Sequence, residues 1–171
     1  ICSDKLIVYG NLPYNISTQI LTKWIKINNL EKFCKKLILM FQKEVADRII
    51  ANYNTADYGR LSILTNWKLE IEKVMDIKPN SFFPKPKVHS SLLIFKPKKK
   101  FFNLKNPKNL EIVTRIFFNQ RRKMIKKPFN QVFNGDKRVI EKLKIDLTMR
   151  PQNLSLDTYY KLATEFENLR S

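Results

Sequence analysis

Two short apolar runs, each followed by a stretch of helical periodicity, constrain this 171-residue chain more than any other feature. Residues 5–10 (KLIVYG) and 36–41 (KLILMF) are near-continuous in apolar side chains and too short for helices, so both read as buried strands. After the first, Ile16, Ile20, Leu21, Trp24 and Ile27 fall at the spacing of an amphipathic helix over 16–28, with Ser17 or Thr18 available as its cap. After the second, Val45, Ile49 and Ile50 mark a helix over 43–51. Strand, helix, strand, helix with apolar strands predicts a parallel α/β sheet.

Further on the pattern changes. A short helix is expected to open at Tyr58-Gly59-Arg60-Leu61 and run through Trp67. Residues 69–77 alternate as Leu69, Ile71, Met75 and Ile77, with Lys73 breaking the apolar series, and a strand at 88–96 should pair antiparallel with them at one sheet edge. Lys96 and Lys98–Lys100 form a polar hinge, which places a domain boundary between 97 and 98. From Pro107 onward three apolar helical faces follow, punctuated by Gly135 and Pro151. The expected architecture is an α/β piece at 1–97 followed by a small all-helical domain at 98–171.

Composition narrows the chemistry. No apolar run is long enough to cross a bilayer. Cys2 and Cys34 make neither a disulfide framework nor a zinc pattern and read as reduced thiols, in keeping with a cytoplasmic location. The single histidine, His89, reads as a strand residue without a chemical role, and no metal site is expected. Glycines stand alone at 10, 59 and 135, so no glycine-rich phosphate loop is present. The formal charge of +18 points to a polyanionic partner. Residues 85–127 carry 14 Lys or Arg against one acid, Glu111, a concentration that codon bias alone does not produce. Nucleic acid is the partner class this favours.

Directly after the first strand comes Asn11-Leu12-Pro13-Tyr14, at the strand end where α/β sheets bind ligands. These residue types suit a planar base with an exocyclic amine. Asn11 accepts a hydrogen bond from that amine, Pro13 constrains the turn so that the Leu12 carbonyl can accept the second, and Tyr14 offers a stacking face. An adenine N6 lone pair is delocalised into the ring and is a weak nucleophile. Two acceptors on its hydrogens favour a pyramidal nitrogen with the lone pair aimed outward, an interaction stronger in the transition state than in the ground state. Attack on a sulfonium methyl then needs no strong base. The proline-braced segment Phe82-Phe83-Pro84-Lys85-Pro86-Lys87-Val88 supplies aromatics for the other face of a flipped-out base.

These segments resemble the rRNA adenine N6,N6-dimethyltransferase family of the kasugamycin-sensitivity type. Val8–Thr18 is similar to its catalytic strand end, Gln42–Arg48 and Tyr58–Ser62 to the helices after it, and Phe82–Ser90 to its target-base loop. Phe118–Lys123 and Arg150–Ser155 are similar to its C-terminal helical domain. The resemblance implies the C-terminal part of a Rossmann-like class I methyltransferase sheet with a helical rRNA-binding domain. It further implies S-adenosyl-L-methionine as cofactor and dimethylation of two adjacent adenosines near the 3′ end of small-subunit rRNA, within the small ribosomal subunit. By resemblance Asn11, Leu12, Pro13 and Tyr14 hold the adenine, Phe82 stacks on it, and Asn11 also borders the cofactor. The erythromycin-resistance methylases and the related mitochondrial transcription factors are less similar, because the Asn119–Lys123 segment favours the small-subunit enzymes. A non-catalytic RNA-binding assembly factor is the rival from another class.

The family's glycine-rich cofactor half has no counterpart here, and residues 5–10 resemble the fourth strand of seven. The chain alone is therefore expected to bind cofactor poorly and to be inactive. The edge of strand 5–10 is expected to lie open to dimerisation. Expected RNA contacts are Arg48, Lys85, Lys87, Lys98, Lys99, Lys100, Arg121, Arg122, Lys123, Lys126, Lys127 and Arg150, with one of the adjacent Arg121 and Arg122 bridging instead to the α/β part.

Overall fold

The structure, a computed structural model, describes residues 5–170; Cys2 lies outside the described residues. In chain order the elements are β1 (Leu6–Asn11), α1 (Ser17–Lys26), α2 (Leu30–Phe33), β2 (Cys34–Gln42), α3 (Lys43–Ile50), α4 (Arg60–Lys68), β3 (Leu69–Ile77) and β4 (Ser90–Pro97). Four helices follow: α5 (Pro107–Phe118), α6 (Lys126–Phe133), α7 (Lys137–Leu143) and α8 (Leu156–Asn168). Contacts divide the chain into two units. The first runs to Ile50 and resumes over Lys68–Phe101; the second takes Ala51–Trp67 and the chain from Phe102 onward. The hinge expected at 97/98 thus falls a few residues early, and 51–67, read as α/β, groups with the helices.

The first unit is a four-stranded sheet in the order β1-β2-β4-β3. It is mixed rather than parallel: β1 and β2 run parallel, while β2–β4 and β3–β4 are antiparallel. Beside β2, Leu37 faces Phe95 and Leu39 faces Leu93 across the ladder, all essentially inaccessible. Phe41 meets Phe95 edge-on with ring centroids 5.9 Å apart, a geometry favoured by the ring quadrupoles. Ala46 and Ile49 of α3 are fully buried.

Two expectations fail here. β1 is not a buried strand: it lies at the sheet edge, and Leu6, Ile7 and Tyr9 are exposed. The alternation read across 69–77 breaks at a bulge, since Lys73 pairs with Leu93 but Met75 with the next residue, Leu92. Val74 is the extra residue, and Met75 is exposed rather than on the face of Ile71. A bulge shifts side-chain phase by one, so Lys73 and Asp76, three apart, meet with Nζ 2.8 Å from Oδ1. Lys73 also pairs with Asp47 of α3 at 3.4 Å, and Ser91 Oγ donates to Asp76. The strand expected from 88 begins at Ser90, leaving His89 in the loop, where its carbonyl accepts from Lys43 N at 2.9 Å.

The second unit is helical. Leu110, Val113 and Phe117 of α5 and Tyr159, Leu162 and Ala163 of α8 are buried, as are Phe129 and Phe133 of α6. The Tyr159 ring lies 5.8 Å from Phe117 and 5.7 Å from Phe118, and its hydroxyl donates to Pro151 O. Tyr160 Oη donates to Ile63 O, and Trp67 Nε1 to Phe102 O, which ties α4 into this unit. The buried Glu167 carboxylate accepts from the backbone N–H groups of Lys105 and Asn106 and from Asn109 Nδ2. Side chains cap three helices: Asn106 at α5, Asp136 at α7 and Ser155 at α8. α1 lacks the cap expected of Ser17 or Thr18; its N-cap is Ile16, and Ser17 instead bonds to Tyr14 O. Gly135 takes φ +73° just past α6, a conformation glycine adopts without strain.

Candidate functional site: a base-sized cavity at the end of β1

β1 ends at Asn11, paired with Met40 of β2. Gly10 packs closely against its neighbours: a Cβ there would sit 2.9 Å from the Leu39 side chain and 3.1 Å from that of Leu12. Leu12 through Ile16 then form a tight turn in which Ile16 N donates to Pro13 O (3.1 Å) and Ser17 Oγ to Tyr14 O (3.2 Å). The turn's own hydrogen bonds use the Pro13 and Tyr14 carbonyls and not that of Leu12. Tyr14 Oη lies 2.7 Å from Ser90 Oγ at the start of β4, and Ser90 is fully buried. This bond joins two segments 76 positions apart.

The turn and the 82–86 loop border an open cavity of about 350 Å³, lined by Asn11, Leu12, Pro13, Tyr14, Met40, Phe82, Phe83, Pro84 and Pro86. Every residue expected to hold the base is present. The loop follows a single 3-10 turn at Pro79–Ser81, and the Phe83–Pro84 peptide is cis. Polar acceptors come from the β1 end and flat apolar surface from the proline-braced loop, a combination that orients a planar heterocycle bearing an amine. Met40 was not legible as a site residue; its signal is the register that sets the ends of β1 and β2 side by side. Pro84 and Pro86 line the cavity as well as brace the loop.

The expected RNA contacts fall on both units. In the first, Lys85 and Lys87 are exposed on the cavity loop, and Lys99 and Lys100 are exposed beyond β4. Lys98 is half-buried, and burial pushes its amine below the ordinary lysine range against the opposing pull of Glu70. Arg48 pairs with Glu44 one turn away on α3. In the second unit, Arg122, Lys123, Lys126, Lys127 and Arg150 are exposed. Lys123, Lys126 and Lys127 surround a groove of about 590 Å³ with Gln120, Met124 and Asn130. Arg121 is engaged differently: its guanidinium donates to the carbonyls of Thr55 and Ala56 and to Gln152 Oε1. Arg121 and Arg122 lie in a turn after α5, not on a helix. Of that pair Arg121 is the bridging residue, and the 51–57 loop it holds belongs to its own unit.

Residues 2–168 match the family described as ribosomal RNA adenine dimethylase. The chain belongs to this family. Among curated family relatives it is 62% identical to the ribosomal RNA small subunit methyltransferase A of Pelagibacter ubique, over 99% of this chain and 65% of the relative. The protein of the same name from a Wolbachia of Drosophila simulans is 44% identical over 95% of this chain and 58% of the relative. The chain thus spans roughly three-fifths of the relatives' length. Among solved structures, a dimethyladenosine transferase from Plasmodium falciparum superposes with a TM-score of 0.81 and 28% identity, covering 98% of this chain and 69% of that one. A 23S rRNA methyltransferase, ErmE, shares the fold with a TM-score of 0.63 at 18% identity, covering all of this chain and 68% of that one.

Members of the family use S-adenosyl-L-methionine. Among the described residues, the cavity at the end of β1 does not by itself make a site for it. The cavity lining has no acidic side chain to accept from ribose hydroxyls and no glycine-rich turn, and Asn11 is the one residue the family resemblance places beside the cofactor. Among the described residues no cluster of His, Cys, Asp or Glu could hold a metal ion, and no helix is long and apolar enough to cross a membrane.

Proposed function

We propose that this chain is the base-holding and RNA-contacting part of a cytoplasmic, S-adenosyl-L-methionine-dependent rRNA adenine N6,N6-dimethyltransferase. Its substrate is two adjacent adenosines near the 3′ end of small-subunit rRNA in the small ribosomal subunit. One observation carries this reading: the Asn11–Tyr14 turn and the Phe82 loop, about seventy residues apart, share one cavity at the carboxyl end of a strand. The domain assignment follows the same division, with the target base held by the sheet unit and rRNA gripped by the basic helical unit.

The chain's own groups act on the adenine. Asn11 Oδ1 and the Leu12 carbonyl accept the two N6 hydrogens, and Tyr14 and Phe82 hold the ring plane by stacking. With both hydrogens drawn to acceptors, the N6 lone pair leaves conjugation and points away from the ring. The cofactor, when bound, would supply an electrophilic sulfonium methyl group and leave as the neutral thioether, its C–S bond breaking as the N–C bond forms. Once the N–C bond forms, the cationic nitrogen is acidic enough to lose its proton to solvent, so the lack of a histidine or carboxylate in the cavity fits the reaction. Exposed Lys123, Lys126, Lys127, Arg122 and Arg150, with Lys85, Lys87, Lys99 and Lys100, neutralise RNA phosphates.

The test is transfer of labelled methyl from S-adenosyl-L-methionine to unmethylated small ribosomal subunits, by this chain alone and by the chain joined to a family cofactor-binding segment. The expected product is N6,N6-dimethyladenosine from the joined protein only. Asn11→Ala in the joined protein should lower the rate at least a hundredfold. RNA binding without product from either protein would instead support the assembly-factor reading. We further infer self-association of the chain through β1, whose outward side is paired by no strand among the described residues. Sedimentation showing only monomer at high concentration would overturn it.

A further inference from the structure

The Phe83 side chain packs into no core: it is fully exposed, at 103% of the reference area, although it lines the cavity wall. A phenylalanine left in water forgoes roughly 1.5–3 kcal/mol of burial. It stands beside Pro84 in a stretch that also carries Pro79, Pro86, Lys85 and Lys87. Phe82 beside it is half-buried and takes an extended conformation, φ −126° and ψ 149°. The chain bends through 82–84, and of two rings that border the same cavity one is half-buried and the other stands wholly in water, so they offer two separate stacking surfaces. Lys85 and Lys87, exposed two and four residues further on, set positive charge beside the outer ring.

We propose that Phe83 is the stacking platform for the unpaired nucleotide adjacent to the target adenosine, so that the loop holds two consecutive bases, one on each phenylalanine. This rests on the base-binding reading above and names a second nucleotide subsite for it. Base–aromatic stacking contributes about 1–3 kcal/mol per base and tolerates any base. Phe83 therefore adds grip on single-stranded RNA without reading its sequence, and it holds the second adenosine next to the cavity while the first is bound.

The test uses the 171-residue chain and an rRNA hairpin with two adjacent unpaired adenosines, each replaced in turn by fluorescent 2-aminopurine. The wild-type chain is expected to quench both positions. Phe83→Ala should restore fluorescence at one position only, weaken RNA binding about tenfold, and leave the thermal midpoint unchanged because the ring is fully exposed. Phe82→Ala should restore the other position, and Phe83→Trp should keep both quenched. The proposal is overturned if Phe83→Ala leaves both positions quenched, or if both alanine variants free the same position. No quenching by the wild-type chain at either position would overturn the base-binding reading together with this one.

Discussion

Ser90 and Ser91 are sequence neighbours whose hydroxyls serve opposite faces of β4. Ser90 Oγ meets Tyr14 Oη at 2.7 Å, and Ser91 Oγ donates to Asp76. The first bond fixes the Tyr14 ring at the cavity wall. In the protein joined to its cofactor segment, Ser90→Ala and Tyr14→Phe should each slow single-turnover methyl transfer about five- to tenfold, and the double variant no further, because both remove one bond. Independent, multiplying losses would refute the link. The second bond belongs to a titrating network. Lys73 first, then Ser91, holds the Asp76 carboxyl below the usual carboxylate range, and the same pairing raises Lys73. Stabilisation from Asp76 is therefore complete above its unfolded value near about 4 and lost as pH falls through the depressed folded value. That from Lys73 is complete below about 10.4 and lost as pH rises past its raised value. Thermal midpoints across acid pH should fall less steeply in Asp76→Asn than in wild type. Of the residues that line the cavity, Asn11 to Tyr14 and the proline-braced Phe82–Pro86 were legible in the sequence. Ser90 and Met40 were not, because a strand register and a contact across 76 positions leave no local trace.

Among elements, α5 and α8 followed their periodicity; α1 departed from its expected face, burying Ser17, Leu21 and Ile25 and leaving Ile16 exposed, and so did the strands at both sheet edges. The apolar stripe of α5 and α8 is buried where the 3.6-residue repeat placed it. β1 carries the composition of a buried strand yet is exposed, since burial depends on what else packs there. β3 changes face at Val74, and a bulge writes no sequence signature beyond the lysine that interrupts the alternation. The loop at 51–57 joins the helical unit through Arg121 and through Asn54 N to Gln152 O, all long-range contacts. Arg121→Ala should therefore lower thermal stability by roughly 1–3 kcal/mol, the scale of hydrogen bonds to a charged group. It should leave the salt dependence of RNA binding unchanged. Replacing Lys123, Lys126 and Lys127 by Ala should do the reverse, with no loss of stability and a reduction of about one in the log–log salt slope per lost phosphate contact. Filter binding over a salt series, beside thermal melts, separates the two.

At the scale of the whole chain, the net charge of +18 pointed to a polyanionic partner, and the strand–helix alternation named the class of fold. The mixed strand directions of the sheet were only half legible, because the antiparallel return of β4 between β2 and β3 is set by packing and not by local pattern. The open side of β1 reaches further than association alone. Asn11 is the last residue of that strand and the first of the cavity. On the proposed function, a strand docked along β1 would restrain the backbone that carries Asn11 and Leu12, so strand docking and base binding would draw on the same loss of freedom. Linkage between two such events is reciprocal: a strand steadying the edge would strengthen binding of the proposed base, and a bound base would tighten the edge by the same factor. Amide exchange at Asn11 and Leu12, slowed by either event alone, would register that common restraint.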